Sequence, residues 1–326
     1  MSDNVGDKIE TVGGLSVRSE RIEFDASELL PCPDCGRPNA PNRAECLYCG
    51  GQLAGTSPDI DLRSRTPEPW EKGFCVVLLE TGGAAFPASL PVDREVLMRA
   101  SELGTPLPVS RLGSEVAAAA AAERMRESGM RCVVLGDEEL DGEGPPTRLR
   151  SISADKDSFV LRNFNTEETF SFPTDALDLI VSGRIFEERS EQTIRKDKKK
   201  GVTELDSGST TKDSGVLDLY FAGEPKGFRI EETGFDFSFL GAEKSMLASE
   251  NLKKLADRLR SISPTAKYSS DYGKKRSFIA EIWPAQPVND SKGVKRWNLG
   301  RSIANASITS NREQFTRYSR LLRSTI

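Results

Sequence analysis

The chain has 326 residues, too many for one small hydrophobic core, so two or three domains are expected. With 37% hydrophobic and 29% charged residues and a mean hydropathy of -0.44, long segments are expected to lie outside any packed core. The chain contains no histidine. It therefore lacks the side chain that most often moves protons near neutral pH and the commonest ligand of catalytic zinc, which argues against an enzyme.

Residues 1–28 are polar, acidic and in part Gly-rich, and they read as a disordered acidic tail. The opening MSDNVGDKIE has neither the basic nor the apolar region of a secretory signal. No apolar run reaches the length of about 18 residues that a membrane span needs. A soluble, cytoplasmic protein without membrane association is expected.

The next segment, CPDCGRPNAPNRAECLYCGGQL, carries four of the six cysteines in two CxxC pairs. Each pair is followed by Gly, which allows the tight knuckle in which backbone N–H groups point at thiolate sulfurs. Cys32, Cys35, Cys46 and Cys49 are thus predicted to hold one structural Zn²⁺ in a ribbon over residues 29–55. Pro38, Asn39, Pro41 and Asn42 supply turn formers for a compact connecting loop. Arg37 and Arg43 stand where they can offset the charge of a four-thiolate zinc site or touch a partner. The pattern resembles the short zinc ribbons of many bacterial and archaeal proteins, over residues 32–53, and the resemblance implies a metal-stabilised module. Four protein ligands would close the shell and leave no position for a reactive water.

Residues 56–72, rich in Ser, Pro and charge, read as a linker. FCVVLL and CVVL are two buried strands by pattern, and two helical patterns lie between them. One starts after Asp93 and is stopped by Pro106 and Pro108; the other starts near Ser114, runs through Ala117–Ala122 and ends at Gly129. A small β-α-α-β domain over 73–140 is predicted. From Leu107 to Leu135 this stretch is similar to the helix-helix-strand part of the ribosomal stalk protein C-terminal domain and to the related Clp protease adaptor fold. That resemblance, over about residues 74–136, implies a protein-binding domain without catalysis of its own. Cys75 and Cys132 sit inside the two apolar strands, where a thiol is inert core.

TRLRSI, DSFVLRNF and ETFSF predict a small antiparallel β module over 147–189, with Gly183 marking a bulge or bend. Residues 190–214, almost without large apolar side chains, read as a disordered linker. A C-terminal basic α+β domain over 215–326 follows. It is predicted to hold strands at VLDLYF, GFRIEE, FDFSFLG and SFIAEIW, and an amphipathic helix at Leu252, Leu255, Leu259 and Ile262. A final helix would open with a capping box of Ser310 and Glu313. The fold class expected overall is α+β multidomain.

Residues 251–326 hold 16 Lys and Arg against 5 Asp and Glu, while the whole chain is at -5. Such a split fits a basic surface for an anionic partner, and it equally fits two halves that neutralise each other. Lys274, Lys275, Arg276, Lys295, Arg296, Arg312, Arg320 and Arg323 are the candidate contacts for nucleic acid or another anion. Lys292, Arg301 and Arg317 lie among them, and Tyr272, Phe278, Trp283 and Trp297 are interleaved. The Thr81–Gly83 tripeptide lacks the spacing of a phosphate loop, and no small-molecule substrate is implied. The expectation is a non-enzymatic zinc-binding interaction or adaptor protein with an unidentified protein partner; the alternative is nucleic-acid binding through the basic C-terminal domain. An enzyme working through paired carboxylates is a third class, which would need a desolvated Asp or Glu pair in a pocket.

Overall fold

The computed structural model describes residues 10–12, 15–17, 29–39, 46–51, 67–68, 71–83, 86–87, 90–197, 201–285, 287–297 and 300–326. For 10–12, 15–17, 30, 191–197, 201–207, 288–297 and 300–306 the description is of the backbone alone. Most of the expected tail and of the linker at 56–72, together with Arg43, fall outside the described residues. The chain divides into two compact units, Met1–Leu62 and Arg63–Ile326.

In the first unit, β1 (Glu10–Val12) pairs antiparallel with β2 (Leu15–Val17) inside the segment expected to be a tail. The sequence between them is Gly13-Gly14, residue types favoured in two-residue hairpin connections. A second pair, β3 (Leu30–Pro31) and β4 (Pro38–Asn39), flanks the first CxxC.

The second unit opens with a three-stranded antiparallel sheet in the order β6-β5-β7. β5 (Phe74–Glu80) is its central strand, with Cys75 to Leu78 wholly buried. Between β5 and β7 (Arg131–Gly136) the chain forms α1 (Arg94–Leu103), β6 (Leu107–Leu112) and α2 (Glu115–Glu127). The segment is therefore β-α-β-α-β, which corrects the expected β-α-α-β. Pro106 and Pro108 are compatible with a strand because β6 is an edge: Pro108 lies opposite Val77, at a register shift in the ladder, where a missing N–H is tolerated. α2 buries Ala117, Ala118, Ala121, Ala122 and Met125, the small side chains letting it lie close to the sheet. A short helix, α3 (Asp137–Asp141), follows.

The remaining strands form one large mixed sheet in the order β10-β9-β8-β13-β12-β11-β16-β15. They are β8 (Thr147–Ala154), β9 (Ser158–Asn163), β10 (Thr169–Pro173), β11 (Leu177–Asp197), β12 (Gly201–Phe221), β13 (Phe228–Glu231), β15 (Pro287–Trp297) and β16 (Gly300–Ser310). β14 (Lys267–Ser269) runs parallel to the start of β11. β8 and β13 are also parallel, and the other neighbours are antiparallel. The expected β module at 147–189 and the C-terminal domain at 215–326 thus share a single sheet.

The segment 190–214, expected to be a disordered linker, pairs strand to strand from Ser190↔Ser209 to Asp197↔Gly201. Ladder hydrogen bonds come from the backbone, so the scarcity of large apolar residues does not prevent them, and Thr193, Ile194, Val202, Thr203, Thr210 and Thr211 are good strand formers. Near its end β12 is buried on both faces, which is why Val216 to Phe221 reads as a nearly continuous apolar run. Leu217, Leu219 and Phe221 pack with Leu252, Leu255 and Leu259 of α4 (Ala248–Ile262). Burying each such leucine stabilises the fold by roughly 2 kcal/mol.

The alternate residues of β12 meet α6 (Arg312–Ser324): Tyr220 shares a 2.9 Å hydrogen bond with Ser319. Asp218 binds Arg229, its direct cross-strand partner, through two contacts of 2.7 and 2.8 Å. Gly183 is neither a bulge nor a bend. A Cβ there would come within 2.4 Å of the Phe315 ring, so the glycine allows α6 to lie flush on β11.

Two further expectations are corrected. SFIAEIW is not a strand, since α5 (Tyr272–Ile282) covers most of it and buries Tyr272, Lys275, Phe278 and Ile279 at helical spacing. FDFSFLG is mostly a 3-10 helix, Phe237–Glu243, begun by Asp236, whose carboxylate accepts from the Ser238 N–H at 2.9 Å. A second 3-10 turn, Thr174–Ala176, joins β10 to β11. The cap of α6 is Asn311 rather than Ser310. Its Oδ1 accepts from the Phe186 N–H at 2.7 Å and its Nδ2 donates to the Arg184 carbonyl at 3.2 Å, so the amide continues the β16–β11 ladder by side chain. No helix among the described residues is long and apolar enough to cross a membrane.

Candidate metal centre

Both CxxC motifs close the same turn. Gly36 donates its N–H to the Cys32 carbonyl at 2.8 Å, and Gly50 donates to Cys46 at 3.0 Å. The Cys32 N–H in turn reaches Arg37 O at 2.9 Å, and the Cys46 N–H reaches Gly51 O at 2.8 Å. Gly36 and Gly50 have φ of 69° and 72°, the left-handed region that a β-carbon disfavours, which is why a glycine follows each pair.

The turns bring the four sulfurs within 4.8 Å of one another. Cys32 and Cys49 are 3.7 Å apart and Cys35 and Cys46 3.5 Å apart, and all four are free thiols. Four sulfurs at about 2.3 Å from a tetrahedral ion would stand about 3.8 Å from each other, so the geometry fits a bound metal. A disulfide requires about 2.05 Å. The four cysteines are placed to hold a metal ion.

The electrostatics of the set point the same way. Burial works to raise Cys46, but the N–H groups of Tyr48 and Cys49 and the Asn39 amide outweigh it and bring the thiol down to about 6. At Cys49 the Gly51 N–H lowers the thiol, yet the neighbouring sulfurs and burial push it up to about 12. Cys35 is also raised: the Arg37 N–H pulls it down, and burial with the Cys46 sulfur outweighs that pull. The set thus holds Cys46 lowered and Cys35 and Cys49 raised, the raised thiols sharing protons with neighbouring sulfurs. A bound cation would favour the thiolate form of all four and displace those protons.

Asn39 is the residue that sequence reasoning missed here. Read as a turn former, it lies in β4 and is buried. Its Nδ2 donates to the Cys46 sulfur at 3.4 Å and to the Arg37 carbonyl at 2.8 Å, while its Oδ1 accepts from the Leu47 N–H at 2.9 Å. One amide therefore ties the first knuckle to the second and orients a ligand. An asparagine a few residues beyond a CxxC, between two prolines' worth of turn signal, gave no cue to this role. Arg37 lies over the Tyr48 ring at 4.8 Å, and Leu47 and Tyr48 are exposed.

Among the other candidates whose side chains are described, Arg312 and Arg320 line one cleft together with Arg317, whereas Lys274, Lys275, Arg276 and Arg323 do not line it. Arg320 donates to the carbonyls of Leu140, at 3.0 Å, and of Asp141 and Gly144. Arg323 donates to the carbonyls of Pro225, at 3.0 Å, and Glu224. Arg312 pairs with Glu231, and Arg317 with Asp141 at 2.8 Å. The basic face of α6 is thus spent largely on the molecule's own groups. Lys275 is buried beside Tyr318, 5.9 Å from its ring centre, and burial lowers its pKa. Lys274 and Arg276 are exposed on α5. Tyr272, Phe278 and Trp283 are core residues, unavailable for stacking on bases. The side chains of Lys292, Lys295, Arg296, Trp297 and Arg301 lie outside the described residues.

Cys75 and Cys132 are buried, and burial pushes their thiols up to about 12 and about 11. Beside Cys75, Asp137 binds Arg111 at 2.5 Å with both side chains nearly inaccessible, and also accepts from the Gly73 N–H at 3.0 Å. That pair fixes the start of α3 against β6 and the chain entering β5.

No protein-family model matches the chain, and no match is found among curated proteins or among solved structures.

Proposed function

We propose that the chain is a non-enzymatic zinc-binding interaction protein, with one structural Zn²⁺ held by Cys32, Cys35, Cys46 and Cys49. The observation that carries this reading is the four-sulfur set within 4.8 Å, supplied wholly by the chain. Thiolates favour zinc over the hard cations magnesium and calcium, and four of them leave no coordination position for water or substrate. The ion then acts by folding its module, which is too small to hold together without it.

What such a module offers is a rigid, shaped surface. Leu47 is 63% and Tyr48 51% exposed on the second knuckle, with Arg37 stacked on the tyrosine. Aromatic and arginine side chains on a rigid turn are what protein interfaces favour.

The test has two parts. Metal analysis of the purified chain is expected to give one zinc per chain, and none in Cys46→Ser. Affinity capture from cell extract is expected to retain specific proteins that a Leu47→Ser, Tyr48→Ser double variant loses while keeping its zinc. A chain that binds no zinc, or captured proteins indifferent to both the ribbon and the metal, would refute the reading.

The nucleic-acid alternative keeps one point of support, the exposed Lys274 and Arg276 on α5, whose side chains have no hydrogen bond or ion pair among the described residues. Binding to RNA or single-stranded DNA that weakens steeply with salt and disappears in a Lys274→Glu, Arg276→Glu variant would favour it.

A further inference from the structure

Between β8, β13 and α6 the second unit carries a cleft of about 890 Å³, a size typical of small-ligand sites. Its walls hold Arg148, Lys226, Arg229, Arg312, Arg317 and Arg320. The acidic groups facing them are Asp141, Glu231 and Glu313, with Asp218 behind Arg229 and Asp137, itself paired with Arg111, 3.8 Å from Arg317.

With Glu313 counted, six cations meet four carboxylates, so positive charge is left over. Asp218 neutralises Arg229, and Asp141 sits on Arg317. The single carboxylate of Glu231 is shared by Arg148, at 3.3 Å, and Arg312. Arg320 spends its donors on neutral main-chain carbonyls, which do not cancel its charge. Lys226 has no hydrogen bond or ion pair with any described residue. Positive charge left over in a concave wall focuses the field on whatever enters.

The donors are also held in place. The Arg148 guanidinium lies 3.9 Å over the Phe164 ring and donates to the Thr233 carbonyl at 2.8 Å, while its Nε is buried without a hydrogen-bond partner. A guanidinium fixed this way loses little entropy on meeting an anion. Thr147, Asn163, Asn165 and Thr316 add neutral hydrogen-bonding groups. Among the described residues, none lining the cleft is aromatic, so it offers no platform for a stacked base.

We infer that this cleft binds a compact, multiply charged phosphate, inorganic or carried by a small phosphorylated molecule. The inference does not rest on the zinc ribbon, and the two fail separately. The test is calorimetric titration of the full chain with trimetaphosphate, a cyclic trianion that is a weak metal ligand, and with ADP. A 12-nucleotide single strand serves as competitor, and sulfate at equal ionic strength as control.

Saturable one-to-one binding is expected, with affinity falling at least tenfold in Lys226→Glu and rising in Asp141→Asn, which removes an exposed carboxylate from the rim. Lys226→Gln, with an unchanged melting temperature, covers the case in which the charge reversal disturbs folding, and it should weaken binding severalfold. Trimetaphosphate binding as tightly as ADP supports an inorganic phosphate, and tighter ADP binding supports a phosphorylated small molecule. The inference is overturned if neither probe binds above the sulfate control, if both Lys226 variants bind like the parent, or if the oligonucleotide displaces the probes and binds more tightly than either.

Discussion

Replacing Asn39 with alanine isolates what the second layer of the ribbon contributes, because all four sulfur ligands remain. The Asn39 side chain is 3% exposed and makes two hydrogen bonds to neutral backbone groups, the Arg37 carbonyl at 2.8 Å and the Leu47 N–H at 2.9 Å. At about 1 kcal/mol each, these come to about 2 kcal/mol. On the proposed reading, in which the metal folds the ribbon, the loss should appear as zinc binding weaker by about 30-fold, within the 10- to 100-fold seen for groups that orient metal ligands. The lost donor to the Cys46 sulfur acts in the same direction. Asn39→Asp should be worse than Asn39→Ala, since it keeps the acceptor for Leu47 but sets a carboxylate against a thiolate. Competition with a chromophoric chelator under reducing conditions at pH 7.5 reads both variants. An alanine variant within twofold of the parent, or an aspartate variant that binds more tightly than the alanine one, would refute the argument.

Zinc binding should release protons, because the thiol of Cys49 is pushed up to about 12 and Cys35 is raised in the metal-free set. Affinity therefore rises with pH, and titration calorimetry in buffers of different ionisation enthalpy should count at least one proton per zinc at pH 7.5. Gly183→Ala drives a methyl into the buried Phe315 ring, and urea unfolding should show a loss of about 1–3 kcal/mol. Asp218→Asn breaks the buried pair with Arg229 and should cost about 3–5 kcal/mol, whereas replacing both partners with apolar residues of similar volume should recover most of it. Glu231 is raised by burial, but Arg312, Arg148 and Arg229 outweigh this and hold it below the ordinary carboxylate range. Its contribution is present above about pH 4.3 and is lost as pH falls through the depressed value, so Glu231→Gln should flatten the acid limb of a stability curve.

The metal centre was legible in the sequence because its chemistry is local: two CxxC pairs and two glycines specify the turns without help from distant residues. Helices with a clear apolar stripe, such as Leu252, Leu255 and Leu259, were legible for the same reason. The losses came where distant partners decide. Leu107–Leu112 is a strand only because β5 lies beside it, and its prolines are acceptable only because it is an edge. SFIAEIW is short and apolar, which periodicity alone does not assign, and α5 is fixed by what Tyr272 and Phe278 pack against. The arginines of α6 have the pattern of a phosphate-binding face, yet their partners are carbonyls and carboxylates from β13, α3 and the loops after α3 and β12, which no local reading supplies.

Among the described residues, the outer half of β12, up to Ser214, pairs with β11 alone, since β13 pairs with Val216–Leu219 and Gly215 bonds to Glu232. A long row of unsatisfied backbone donors and acceptors is ordinarily an invitation to add strands from other chains. Here the row runs through TELDSGSTTKDS, where Lys212, the aspartates and Gly208 make a stacked, dry contact with another copy unfavourable. The polarity that hides this strand from a reader of the sequence is the same property that keeps its open edge soluble, so apolar substitutions on this stretch, harmless to the fold itself, should turn the protein toward assembly.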